Sequence, residues 1–234
     1  MKHTPLLLAL STVRGCASAR SAAPDEPESI VGPAYSGFSA VGNVWDYTLA
    51  FPFLGGWERA QLTSLDTTTG DVQVETSGTY DGDAFTYTFE RTDHYRCTSD
   101  GLYLVDWTNS WVLDNLLASK ADSSTGQWDP AVPLMLSDDE MRVEGASWSV
   151  TSTRTDTLPS GVTYTGGTTM VFERMETQTL SILGTTIDAI PVQYYEVGPY
   201  DNVPWIWYAE DIGIVKRSGL TLDSYSLGSG ALMK

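Results

Sequence analysis

The chain has 234 residues, 41% of them hydrophobic, which is enough for one sizeable core. Its 30 acidic residues outnumber 13 basic ones, a formal net charge of -17 that repels nucleic acid and anionic membrane surfaces and excludes a nucleic-acid-binding role. Two cysteines and two histidines are too few for the ligand set of a zinc site, so no metal and no cofactor is expected.

The start reads as an export signal. Met1-Lys2-His3 is positive, and Pro5 to Val13 is an apolar run far shorter than the roughly 20 residues that cross a bilayer. Val13-Arg14-Gly15-Cys16 then looks like a bacterial lipobox, which makes Cys16 the candidate lipidation site; Arg14 departs from the small residue usual there. A competing cut lies at Ala17-Ser18-Ala19, the A-x-A pattern of ordinary secretion. Residues 1–15 are thus expected to be a signal peptide. Residues 16–41, rich in Ser, Ala, Pro and Gly, read as a tether that holds the domain to a membrane.

Residues 42–228 read as one antiparallel β domain, with 229–234 a tail. Trp45 to Phe51 alternates around Trp45, Tyr47 and Leu49, and Ala60 to Asp66 and Val72 to Thr79 flank a turn containing Gly70. Ala84 to Thr92 is the clearest alternation, with Phe85, Tyr87 and Phe89 on one face. Leu102 to Trp107 follows the Asp100-Gly101 turn. Asn109 to Lys120 is expected to form one short helix carrying Trp111, Val112, Leu116 and Leu117, and Ala121 to Glu140, with Pro130 and Pro133, a loop. Strand character returns over Arg142 to Leu158, Val162 to Glu176 and Thr177 to Val197, the last bent at Gly184 and Pro191.

The closing stretch is the most distinctive. Trp205 and Trp207 fall on one face of a strand, Ile206 and Tyr208 on the other; a turn at Glu210 to Gly213 follows, then a β-branched strand ended by Lys216 and Arg217, and a last strand from Leu220 to Leu227. Both faces being apolar, Trp205, Trp207 and Tyr208 are the candidate ligand-binding residues. About ten short strands with no fixed repeat predict an all-β fold rather than a propeller or solenoid.

The segment Trp207-Tyr208-Ala209-Glu210-Asp211-Ile212-Gly213-Ile214-Val215-Lys216 resembles the W-[FY]-A-x-G-V-G-x-V-[KR] ending of a group of bacterial cell-envelope β proteins, with Asp211 where that pattern has glycine. The resemblance implies a single strongly curved antiparallel sheet, a half-barrel or open barrel similar to those of lipoprotein carriers. It implies no activity.

Catalytic readings are weak. His94 and Cys97 lie three apart, which on one strand sends them to opposite faces, and no G-x-S-x-G elbow is present. Asp81-Gly82-Asp83 and Asp66 to Asp71 are explained as turns rather than calcium loops. The expectation is a non-enzymatic lipoprotein of the cell envelope, in the outer membrane or periplasm, binding an apolar ligand or an envelope protein. The alternatives are a soluble periplasmic or secreted protein, and a carbohydrate-binding or adhesive module with exposed aromatics as its platform.

Overall fold

A computed structural model describes residues 34–197, 204–217 and 219–228. The expected signal peptide, Cys16 and the expected tail at 229–234 lie outside the described residues, as does the expected tether up to residue 33. The strands run in chain order as β1 (Val44–Phe51), β2 (Leu54–Leu65), β3 (Asp71–Gly82), β4 (Phe85–Thr98), β5 (Gly101–Asn115) and β6 (Ser119–Leu136). After the one-turn helix α1 (Asp138–Met141) come β7 (Ser147–Thr157), β8 (Thr163–Arg174), β9 (Gln178–Ile182), β10 (Thr185–Glu196), β11 (Trp205–Ala209), β12 (Gly213–Arg217) and β13 (Leu220–Ser226).

All neighbours are antiparallel, and almost every strand pairs with the next. Two non-consecutive pairings complete the ring: β13 lies beside β1, from Val44↔Ser226 to Leu49↔Leu220, and β10 lies beside β8, from Val192↔Arg174 to Glu196↔Met170. The result is a closed up-and-down barrel of twelve strands, not an open half-barrel of about ten. Closure removes the unpaired edges that an open sheet would expose. β9 stands outside the ring. It continues the ladder of β8 along β10, with Met175 N–H donating to Pro191 O across the break, and turns back through Leu183 and Gly184. Both turn residues have positive φ, +56° and +70°, as a two-residue type I′ hairpin requires.

The expected helix over Asn109 to Lys120 is a strand and a hairpin. Trp111 pairs with Phe89 on one side and Asp122 on the other, so tertiary pairing overrides a pattern that also fits helical spacing. Asn115 supplies the turn: its side-chain oxygen accepts from the N–H groups of Leu117 and Ala118, both at 2.9 Å. The expected loop over Ala121 to Glu140 is mostly β6. Its prolines are accommodated because Pro130 follows the last β6–β7 pair, Asp129↔Thr153, and Pro133 sits where the β5–β6 register shifts. The acidic run Asp138-Asp139-Glu140 forms α1 behind a Ser137 capping box, with its carboxylates at the helix N-terminus.

The two ends of the barrel differ. At the closed end the interior is filled by residues such as Leu62, Val72, Leu102, Met135, Phe172 and Leu222, all buried. Residues 34–41 cap that end rather than hang from it. Ala34 N–H donates to the Asp138 carboxylate at 2.8 Å, Asp211 N–H donates to Ala34 O, and Phe38 packs its ring on Trp45 and Tyr95. Gly37 passes so close to Ile212 that a Cβ would stand 2.3 Å from its carbonyl oxygen. At the open end, formed by the turns after β1, β3, β5, β7 and β12, inward residues such as Phe51 and Tyr164 remain exposed.

The outer face is polar on β7 and β3. On β7 it carries Ser147, Ser149, Thr151, Thr153, Thr155 and Thr157, cross-linked to β8 by Thr151–Thr169, Thr155–Thr165 and Thr157–Thr163 hydroxyl contacts. On β3 it carries Asp71, Gln73, Glu75, Ser77, Thr79 and Asp81. Neither strand presents the outward apolar band of a membrane-spanning barrel.

Candidate interior binding site

The inward positions form three layers. Above the packed floor lies a layer of paired charges, and above that a rim of aromatics. Each follows from strand alternation. Glu58 is in phase with buried Ala60 and Leu62 on β2, Arg91 and Asp93 with Phe89 on β4, and Arg217 with Val215 on β12. These polar side chains therefore point into the barrel.

Within the charged layer, Arg217 donates to Glu58 Oε2, and the Tyr80 hydroxyl donates to Glu58 Oε1. Arg91 holds Asp93 through Nε at 2.8 and 2.9 Å and a terminal nitrogen at 2.5 Å. Arg154 Nε donates to Asp156 Oδ1 at 2.8 Å, and its guanidinium lies 5.5 Å from the ring centroids of both Trp107 and Trp128. Arg91 covers Trp107 from 5.2 Å. Three cations and three carboxylates are thus paired inside the barrel.

The electrostatics follow from burial and pairing. Burial alone would lower the Arg217 pKa, but the facing Glu58 carboxylate and the Tyr47 and Tyr95 phenols outweigh it and hold the guanidinium protonated. Burial raises the Tyr47, Tyr95 and Tyr208 phenols well above their ordinary value, and for Tyr80 the hydrogen bond to Glu58 adds to burial. All four stay neutral, and the Tyr47 and Tyr80 hydroxyls donate to Ile214 O and Glu58. Arg217 Nε and Trp128 Nε1 are buried without a hydrogen-bond partner among the described residues, a condition that water or a ligand ordinarily relieves.

Between these layers is a cavity of about 540 Å³ that reaches the open end. Its wall carries Tyr80, Tyr87, Phe89, Trp128, Tyr194 and Ile206, with Glu58, Arg91, Asp93 and Arg217 at its base. Tyr87 stacks between Tyr80 and Phe89, at 6.0 and 5.8 Å between ring centroids, and reaches Trp111 at 6.0 Å. A void of about 60 Å³ lies deeper, between Phe38, Trp45, Tyr47 and Tyr208. The larger volume is that of a site for one small molecule, largely apolar with a few convergent polar groups.

The candidate residues of the closing stretch are divided by the barrel wall. Tyr208 is inward, 1% exposed, and lines only the deep void. Trp205 and Trp207 are outward and half-buried, stacked at 5.8 Å and 23°. Lys216 sits 4.8 Å over Trp207, whose Nε1 donates to Gln178 at 3.0 Å. Arg217, read from the sequence as a charge ending a strand, turns inward instead. Sequence reasoning missed the charged layer, although its signal was present: Glu58, Arg91, Asp93 and Arg217 all fall in phase with apolar neighbours.

His94 and Cys97 are kept apart. His94 faces outward with Nδ1 2.5 Å from Asp106 Oδ1, while Cys97 is buried, without a disulfide partner among the described residues, and 3.8 Å from the Ser36 hydroxyl. Burial pushes the Cys97 thiol up to about 11, the Ser36 contact opposing and Asp138 adding to it. Native protein is therefore expected to resist alkylation of Cys97 by iodoacetamide at about pH 8, near the ordinary thiol value. Denatured protein is expected to react to completion over the same interval, as read by peptide mass.

Fold and site together define a closed antiparallel β-barrel with a ligand-sized interior open at one end. Comparison with known proteins finds no matching family profile, no similar curated protein and no similar solved structure.

Proposed function

We propose that the protein is a non-enzymatic carrier or receptor of the bacterial cell envelope, held to a membrane through Cys16, that takes one apolar or amphipathic small molecule into its barrel. The observation that carries this reading is the cavity of about 540 Å³, aromatic at its rim and floored by Arg217, Glu58, Arg91 and Asp93. An apolar body fits the aromatic wall, and a polar group on the ligand meets donors and acceptors at the base. Up-and-down barrels of smaller strand number hold single ligands in the same way.

The test is equilibrium titration with a neutral, environment-sensitive dye such as Nile red in the absence of lipid. One site per chain is expected. Leu104→Trp, which places an indole in the cavity wall, is expected to weaken binding at least about tenfold, as filling a preformed pocket should. Undiminished dye binding in a folded Leu104→Trp protein would sink the proposal. A second reading, a carbohydrate platform on the outer face, is favoured by the stacked Trp205 and Trp207 beneath Lys216. Retention on polysaccharide that falls with Trp205→Ala would support it.

A further inference from the structure

Among the described residues, the turns after β1, β3, β5 and β7 carry exposed apolar side chains at the open end. The β1–β2 turn is Phe51-Pro52-Phe53-Leu54. Pro52 followed by a residue at φ +70° is the pattern of a type II turn, whose third position favours glycine or asparagine. Phe53 occupies it, 84% exposed. A bulky residue in this strained region, touching no core, has a cost with no return inside the chain. In the β5–β6 hairpin Asn115 satisfies the turn backbone by itself, yet Leu116 and Leu117 follow, 86% and 97% exposed. That hairpin also stands above its neighbour, since the β6–β7 ladder begins only at Thr125. Phe51 lines the cavity, and Phe85 and Tyr164 are likewise exposed at this end.

Charge selects the occupant. The two tips, Phe51-Pro52-Phe53 and Leu116-Leu117-Ala118, bear no charged side chain in a chain of net charge -17. Anionic lipid would repel such a chain, whereas a neutral bilayer surface accepts apolar tips. Below the β5–β6 tip, Lys120 lies 5.4 Å over the Trp111 ring. An indole and a long-stemmed cation at that height suit the headgroup layer beneath inserted leucines. Separate tips around a hole are a poor match for a flat protein surface and a good one for a fluid surface that closes around each tip.

We infer that the open end of the barrel docks on a zwitterionic lipid surface by inserting Phe53, Leu116 and Leu117, so that a ligand passes between bilayer and cavity without crossing water. The inference rests on the reading of the cavity as a site for an apolar ligand. It adds the place where that ligand is exchanged.

The experiment uses the full-length chain with Cys16→Ser, which removes the acylation site. A nitrobenzoxadiazole fluorophore is attached at Leu117→Cys or, as a closed-end control, at Val143→Cys; buried Cys97 does not compete for the label. With phosphatidylcholine vesicles, a blue shift and a several-fold rise in emission are expected at position 117 and none at 143. No rise at 117, or equal rises at both, overturns the inference. In the same Cys16→Ser chain, Phe53→Asn with Leu116→Ser and Leu117→Ser is expected to lower vesicle partitioning at least about tenfold, with dye binding in lipid-free buffer unchanged. Unchanged partitioning overturns it as well. Dye binding without insertion defeats only the docking, and insertion without dye binding defeats only the cavity reading.

Discussion

Phe172→Ala is expected to destabilise the fold by about 3–5 kcal/mol, the range for removing a fully buried aromatic ring. Phe172 is 1% exposed on β8, stacked between Trp148 of β7 at 5.5 Å and Tyr194 of β10 at 5.7 Å. It is the middle ring of a three-strand ladder, so its loss leaves a void that neither neighbour can close without leaving its own strand register. Because Tyr194 also lines the cavity, the folded fraction of this variant is expected to bind dye more weakly as well. Chemical denaturation, with binding measured well below the transition, checks both effects. Wild-type stability in the variant would mean that the ladder contributes no more than surface packing.

Arg217→Met is expected to cost about 2–4 kcal/mol, because it leaves Glu58, whose side chain is only 5% exposed, without its cation. The figure lies below that for a fully enclosed pair, since the Arg217 side chain is 37% exposed to a cavity that admits water. Adding Glu58→Gln to the Arg217→Met protein is expected to recover much of the loss, because a neutral amide tolerates the site without a counter-ion. A double variant no more stable than Arg217→Met would show that the lost packing of the guanidinium, not the stranded charge, dominates. Comparing the four proteins as a cycle separates these contributions.

Much of the barrel is legible in the chain as strand alternation. Phe85, Tyr87 and Phe89 share a face because they are two apart, and Tyr87 and Phe89 on that face line the cavity. Trp205 and Trp207 oppose Ile206 and Tyr208 as the period demands. What escapes is long-range. No local pattern says that Ser226 meets Val44, and on that one pairing depends the difference between an open sheet and a ring. The stretch around Trp111 and Leu116 fits two periods at once, and only its partners Phe89 and Asp122 decide between them. The charged layer is hidden for a different reason: a lone arginine at a strand end normally marks solvent, and Arg217 becomes an interior residue only because Glu58 stands across the lumen. The N-terminal reading, lipidation at Cys16 included, depends on a processing pattern rather than on packing and stays within the proposal.

The seam between the first and last strands has a consequence for how the molecule comes into being. Asp46 and Ser224 join across it, 178 residues apart in sequence. The hairpins elsewhere need only neighbouring residues to meet, so they form early and cheaply. The seam must wait until both ends of the meander are present and correctly curved, and until then β1 and β13 are bare edges able to pair with any passing strand. A chain passed through a membrane in linear order keeps those edges apart for the length of its passage, and completes the ring only on the far side. Export, on this view, is compatible with the topology because the topology delays its own final step.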